Sequence, residues 1–333
     1  MNIKHLPKVE LHLHLDCGLS YEVVSRLNPA VTREIYQEEF VAPAKCLNLA
    51  DFLTRAVKGY KLMQTAEALT LVIEDMFRQL AASNLVYAEV RFAPLQHLDG
   101  GLTSFEVVDI ANKAFERCIH QFKIEARLIL CTLRHYSTDQ SMETVKLVEQ
   151  FRGTNVVGFD IAADEAGFPI DPHIAAFKYA RENGIFITAH AGEARGAESV
   201  WETLEHLRPT RIGHGVRSIE DPLLVNYLIA QNIHLEICPS CNVQINLYNS
   251  FTDHPINELY RAGVSLNVNT DAPAIVDTTL NREYQLLVDN FGWTATDFYT
   301  CNVNAVKAAF ISAELKEKLL QKLGEQFSLP NAL

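Results

Sequence analysis

Glu10-Leu11-His12-Leu13-His14-Leu15-Asp16 alternates polar and apolar side chains without a break. A period of two is that of a β-strand, so Leu11, Leu13 and Leu15 share one face and Glu10, His12, His14 and Asp16 the other. In a closed barrel the leucines would pack beneath surrounding helices while the polar set faces the axis. Burying two imidazoles together with carboxylates is costly unless they bind something. Two histidines at i and i+2 near a strand's C-terminal end can reach one metal ion. A polar edge strand with solvated histidines would show the same alternation, so the stretch is read with the rest of the chain.

Working outward, short β-rich runs alternate with amphipathic ones. The candidate strands are Val9–His14, Leu85–Phe92, Ala126–Leu133, Val156–Ile161, Ile185–His190, Arg211–His214, His234–Ile237 and Ser265–Asn269. Between them, Leu69, Val72, Ile73, Met76 and Leu80 follow the spacing of a helix with one buried face. Similar patterns occupy Phe105–Phe122, Met142–Phe151, Pro172–Asn183, Ala197–Leu207 and Asp221–Gln231. Strand–helix units in series imply parallel strands joined by helical crossovers, in a closed barrel or an open doubly wound sheet. No G-x-G-x-x-G or G-x-x-x-x-G-K-[ST] follows the first strand, and polar residues stand at the C-terminal ends of many strands. Both points favour an α/β fold of the TIM (β/α)8 barrel type. The stretch Cys17–Gln64 does not fit a short loop. Its weak helical pieces, Tyr21–Leu27 and Ala50–Met63, read as a helical insertion over the barrel mouth. Without an internal repeat or linker, residues 1–333 read as one barrel domain carrying a lid at about 17–64.

The chain has 333 residues, 48% of them hydrophobic and 21% charged, enough for a core that needs no disulfide staples. Its 29 Lys and Arg against 41 Asp and Glu give a net charge of −12. With no basic cluster, nucleic acid and anionic membranes are excluded as partners. Small neutral substrates are not. Met1–Lys8 has no apolar targeting segment, and no run approaches a membrane span. The seven cysteines are scattered, which points to reduced thiols and a cytoplasmic location. Cys238-Pro239-Ser240-Cys241 has no second ligand pair for a structural zinc site and reads as buried thiols beside a turn.

Three more strand ends carry polar groups. His190-Ala191-Gly192-Glu193 ends the fifth strand with an imidazole and a carboxyl just beyond it. Arg211-Ile212-Gly213-His214-Gly215 places a histidine between glycines that allow close approach. Asn269-Thr270-Asp271-Ala272-Pro273 ends the eighth with a carboxylate. Each alone reads as a turn or helix start, but barrel closure makes strands one and eight neighbours and brings all four ends to one mouth. His5, His97, His120, His135, His173, His206 and His254 lack such a setting, and His234 begins its strand, so surface or core roles are expected for them. Three histidines and one aspartate suit zinc, with iron or cobalt as substitutes. The fourth strand has no Lys that could bridge a second metal, so one ion is expected. H-E-x-x-H is absent, and the order of the cytidine-deaminase signature is not met.

Pro7–Asp16, His190-Ala191-Gly192-Glu193, Arg211–Gly215, Cys238-Pro239 with Asn242, Asn269-Thr270-Asp271 and Asp160–Glu165 occur in the order of the adenosine deaminase family. The chain resembles that family from about residue 5 to 325. The resemblance implies a zinc-dependent barrel that hydrolytically deaminates a 6-aminopurine nucleoside and releases ammonia. It assigns His12, His14, His190 and Asp271 to one Zn2+, which would lower the pKa of a bound water for attack at C6. It implies that Glu193 protonates ring N1, that His214 holds and deprotonates the water, that Asp16 accepts from a ribose hydroxyl and that the Ala163 N–H meets N3.

Three positions depart from the family pattern. Ala272 stands where an Asp usually bonds purine N7, Ala163 where Gly is usual, and Cys17 where Gly usually follows the Asp. The expected substrate is a small purine nucleoside, adenosine or 2′-deoxyadenosine. The alternatives are adenine or a modified adenine nucleoside, because of Ala272, and a catalytically silent purine-binding protein. The oligomeric state is not readable.

Overall fold

The computed structural model describes residues 1–327. Eight parallel strands pair in chain order: β1 (Lys8–His14), β2 (Leu85–Phe92), β3 (Glu125–Leu133), β4 (Val156–Ala162), β5 (Phe186–Ala191), β6 (Arg211–His214), β7 (His234–Ile237) and β8 (Leu266–Val268). Each expected strand is present within one residue at either end. The seam between β1 and β8 is closed by a bridge at Leu13 and Asp271, with His14 N–H donating to the Asp271 carbonyl at 2.8 Å. Side-chain amides complete it. Asn269 Oδ1 accepts from the backbone N–H of Leu11 at 2.9 Å and of His12 at 3.1 Å. Buried backbone donors need partners, and Asn269 supplies what the short eighth strand cannot. The result is a TIM barrel.

Alternation along the strands sorts the side chains. Leu11, Leu13, Val90, Phe92, Ile187 and Leu235 join the apolar layer under the helices. The axis holds charge instead. Arg91 donates to Asp160 at 2.8 Å and to Glu236 at 2.6 Å, and Arg211 pairs with Glu89 at 2.6 Å and Glu236 at 2.7 Å. Thr188 Oγ donates to Glu236 at 2.9 Å. Buried charges persist only when paired and hydrogen-bonded, and this network sits directly beneath the barrel mouth.

The outer helices follow from their patterning and caps. Leu69, Val72, Ile73, Met76 and Leu80 form the buried face of the helix Ala66–Ala82, whose first turn Thr65 caps. Thr103 with Glu106, and Ser137 with Gln140, form reciprocal capping boxes at the next two helices. The insertion after β1 contains Tyr21–Leu27, Arg33–Glu39 and Leu49–Tyr60. The middle helix was not expected: it buries none of its residues, so it carries no apolar period to read. Leu49 and Phe52 join Cys17, Cys46, Cys241 and Ile275 in a small separate core above the mouth. Ile256–Arg261, before β8, and Leu280–Phe291, Ala295–Ala308 and Ala313–Phe327, after it, are further helices outside the expected set. Among the described residues no helix is long and apolar enough to cross a membrane.

Four histidines away from the mouth lie buried within this scaffold, His97, His173, His234 and His254. Burial pushes His97 and His234 down to about 4 and His254 to about 3. Between the ordinary imidazole value near 6.5 and those values the unfolded chain binds protons that the folded chain refuses. Stability therefore falls as pH drops through that window. Urea midpoints should decline from pH 6.5 toward 4, and His97→Asn, which keeps a donor for the Met63 carbonyl, should flatten the decline. An unchanged slope in that variant would count against this account.

Candidate active site

The barrel mouth gathers the strand ends. Imidazoles His12 and His14 come from β1, His190 from β5 and His214 from the end of β6, and the Asp271 carboxylate follows β8. One ligand atom from each of His12, His14, His190 and Asp271 lies within 4.8 Å of the others. Asp271 Oδ1 stands 3.1 Å from His12 Nε2 and 3.4 Å from His14 Nε2, and His14 Nε2 stands 3.2 Å from His190 Nε2. Gly213 makes room for this cluster: a Cβ there would meet His12 Cε1 at 2.9 Å.

These residues suit a metal ion. His12 Nδ1 donates to Glu236 at 3.0 Å and His190 Nδ1 to Asp160 at 3.1 Å, which turns each Nε2 lone pair toward the cluster. Burial holds His12 and His14 well below the ordinary imidazole range, so both offer neutral nitrogen. His12 Nε2 is buried with no hydrogen-bond partner. An orphaned imidazole nitrogen facing a carboxylate and two more imidazoles is the donor set of a cation site.

Two residues to which the sequence assigned no role complete the shell. Cys241, of the C-x-x-C, donates its thiol to Asp271 Oδ2 at 2.9 Å, which leaves Oδ1 for the cluster. Burial pushes that thiol up, so it stays a donor. Asn242 bonds His214 Nδ1 at 3.1 Å and is itself held by His254 Nε2 at 3.1 Å. All seven cysteines are free and buried, as expected of the C-x-x-C pair. His254 had no periodic signal because it precedes a short helix. Alternation along β4 and β7 turns Asp160 and Glu236 inward, but no local signal names their partners.

Glu193 lies on the turn after β5, with Oε1 3.4 Å from His214 Nε2. Burial, then the charges of Asp271 and Glu165, push its carboxyl well above the usual range. His214 goes the other way: burial, then the neighbouring His190 and Arg91, hold it neutral. The pair thus sets a carboxyl that favours its protonated form beside an imidazole that favours its neutral form.

The cavity above them is narrow, with a volume of about 40 Å³. His14, His190, Glu193, His214 and Asp271 form its polar floor, and Cys17, Leu49, Phe52 and Leu53 its apolar roof. The insertion thus supplies the roof. Ala163 and Ala272 line the wall. Asp16 sits behind His14, 3.9 Å from its Nδ1, in a short 3-10 turn, and burial raises it to about 6. Backbone conformation marks the same places. Ala163, His214 and Asp271 have φ of 78°, 60° and 64°, in the left-handed region that side chains disfavour. Such strain, of about 1–3 kcal/mol per residue, concentrates at functional sites.

Fold and cluster define a (β/α)8 barrel with a metal-type ligand group at the C-terminal mouth, where barrel enzymes carry their chemistry. The adenosine deaminase family model matches residues 7–326. An adenosine deaminase 1 of Streptomyces coelicolor is 37% identical, covering 93% of this chain and 84% of that protein. An adenosine deaminase of Clostridium perfringens is 34% identical over 96% of this chain and 98% of its own length. The crystal structure of adenine deaminase from Arthrobacter aurescens superposes with a TM-score of 0.89 at 26% identity, covering 97% of this chain and 100% of that one. The chain belongs to the adenosine deaminase family.

Proposed function

We propose that this protein hydrolyses the 6-amino group of adenosine or 2′-deoxyadenosine, giving the 6-keto nucleoside and ammonia, with one zinc ion held by His12, His14, His190 and Asp271. The observation that carries the reading is the orphaned His12 Nε2 inside a four-ligand cluster, with a buried carboxyl, Glu193, on the same cavity floor. A zinc ion held by that group would supply Lewis acidity that lowers the pKa of water toward neutrality. His214, neutral and fixed by Asn242, orients that water and takes its proton. Glu193 stays protonated until reaction and delivers its proton to N1, where electron density builds as C6 becomes tetrahedral. Asp16 accepts from a ribose hydroxyl, and the Ala163 N–H meets N3. The roof of Leu49, Phe52 and Leu53 keeps bulk water from the floor. Seven free thiols support a cytoplasmic location.

A second reading is favoured by one observation. Ala272 is 2% exposed and belongs to the apolar core over the mouth, so its side chain offers a base no polar contact. That wall also suits adenine or a modified adenine nucleoside. Metal analysis and ammonia release across adenosine, 2′-deoxyadenosine, adenine and modified nucleosides test both. The expected result is about one zinc per chain and ammonia from the nucleosides at 1–10³ s⁻¹. Zinc-loaded protein that binds purines and releases no ammonia would overturn it. Ala272→Asp separates the substrates. A gain of about ten- to a hundred-fold in kcat/KM for adenosine, the worth of one buried hydrogen bond, would favour the modified nucleoside. An unchanged value would favour adenosine itself.

A further inference from the structure

We infer that Glu165 is a positioning residue that sets Glu193 in place, an inference that rests on the acid role proposed for Glu193. Glu165 follows β4, is 2% exposed and takes no part in the cluster of metal-type ligands. Its carboxylate accepts five donors. Oε1 takes the N–H of Gly192 at 2.8 Å and the hydroxyl of Ser199. Oε2 takes the N–H of Glu193 at 2.9 Å, of Ala194, and of Arg195 at 2.9 Å. Four consecutive backbone N–H groups therefore point at one side chain.

A turn can hold that shape only around an acceptor. The four donors make a concavity suited to an anion, and without one the two buried donors, of Gly192 and Glu193, would be left unpaired. Gly192 enters the turn at φ 67°, and a Cβ there would meet Val200 at 2.5 Å, so the chain has little room to relax. Arg134 fixes the other side by donating to the His190 carbonyl at 2.9 Å and to the Phe168 carbonyl at 3.4 Å. The segment 190–195 is thus held from both sides. Ser199, in the first turn of the helix Ala197–His206, ties the clamp to the scaffold.

The geometry separates this from plain structural filling. Glu193 is the second of the four clamped residues, and its carboxyl reaches into the cavity 3.4 Å from His214. Rotation of the turn moves that carboxyl while leaving the ligands on β1 and after β8 in place. A glutamine at 165 keeps the shape but offers one acceptor oxygen and two N–H groups, which face other N–H donors.

A double-mutant cycle on the zinc-loaded protein tests the role. Glu165→Gln should lower kcat by about a hundred-fold, the cost of a displacement near 1 Å, with KM within about three-fold of the parent. Its zinc content should equal the parent's. In a Glu193→Gln background, read by single-turnover ammonia release, the same substitution should change the residual rate by less than about three-fold, because the group it positions is gone. Equal losses in both backgrounds, or loss of zinc together with kcat, would overturn the positioning role alone. Near-parent turnover of Glu193→Gln by itself would remove the acid assignment, and this inference with it. If Glu165→Gln does not fold, Ser199→Ala removes one of the five donors. It should lower kcat by about three- to ten-fold, a fraction of the worth of one bond to a charged group, only when Glu193 is present. No change in kcat, or the same loss without Glu193, would count against the inference.

Discussion

Glu193→Gln is expected to lower kcat by about 10³-fold or more while zinc content stays at the parent level. Glutamine fills the same space and keeps one hydrogen bond to a ring nitrogen, but it has no proton to transfer. Burial and the charges of Asp271 and Glu165 hold the native carboxyl protonated, and that supply is what the substitution removes. Because Glu193 stands outside the four-ligand cluster of His12, His14, His190 and Asp271, the metal should remain. Ammonia release and metal analysis on one preparation read both. Activity within ten-fold of the parent would end the assignment of Glu193 as the acid.

Arg91→Met should be the most damaging single change outside the mouth. One guanidinium joins Asp160, which orients His190, to Glu236, which orients His12. It also donates to the Leu11 carbonyl at 2.6 Å, in the strand carrying both β1 histidines. Removing it leaves the buried Asp160 without its guanidinium and Glu236 with Arg211 alone, a loss of about 3–5 kcal/mol of stability. Losing the partners that aim two ligands should weaken zinc binding by about 10- to 100-fold. Urea unfolding and zinc titration against a chelator measure the two effects. Arg91→Lys should not restore them, since an ammonium cannot span both carboxylates as the planar fork does. Parent-like stability and zinc affinity in Arg91→Met would show that the network is incidental to the site.

The two predictions differ in how far the sequence reached. Glu193 was legible, because a β-rich run ending in histidine, a glycine turn and a carboxyl can be read in order. Arg91 was not. Alternation along β2 turns Arg91 inward, but nothing local says that two carboxylates from β4 and β7 meet it. Cys241 reads as a buried thiol, and it is buried; its bond to Asp271 depends on the approach of the short helix Pro239–Gln244, after β7, to the end of β8. The helical insertion at about 17–64 is read from a connection too long for a loop. Its helix Arg33–Glu39 was missed because an exposed helix has no apolar period. The left-handed φ of Ala163 gives a physical reason for the glycine usual in the family there.

What the sequence alone determined is the kind of each element and the chemistry at its end. Periods of two and 3.6 are local properties, read within a window of a dozen residues. Only the tertiary structure decided which side chains share a point in space. His12 and Asp271 come from opposite ends of the chain, and barrel closure through Leu13 and Asn269 brings them to 3.1 Å. A ligand set is defined by distances between different strands, and the periodicity of one strand holds no information about those distances.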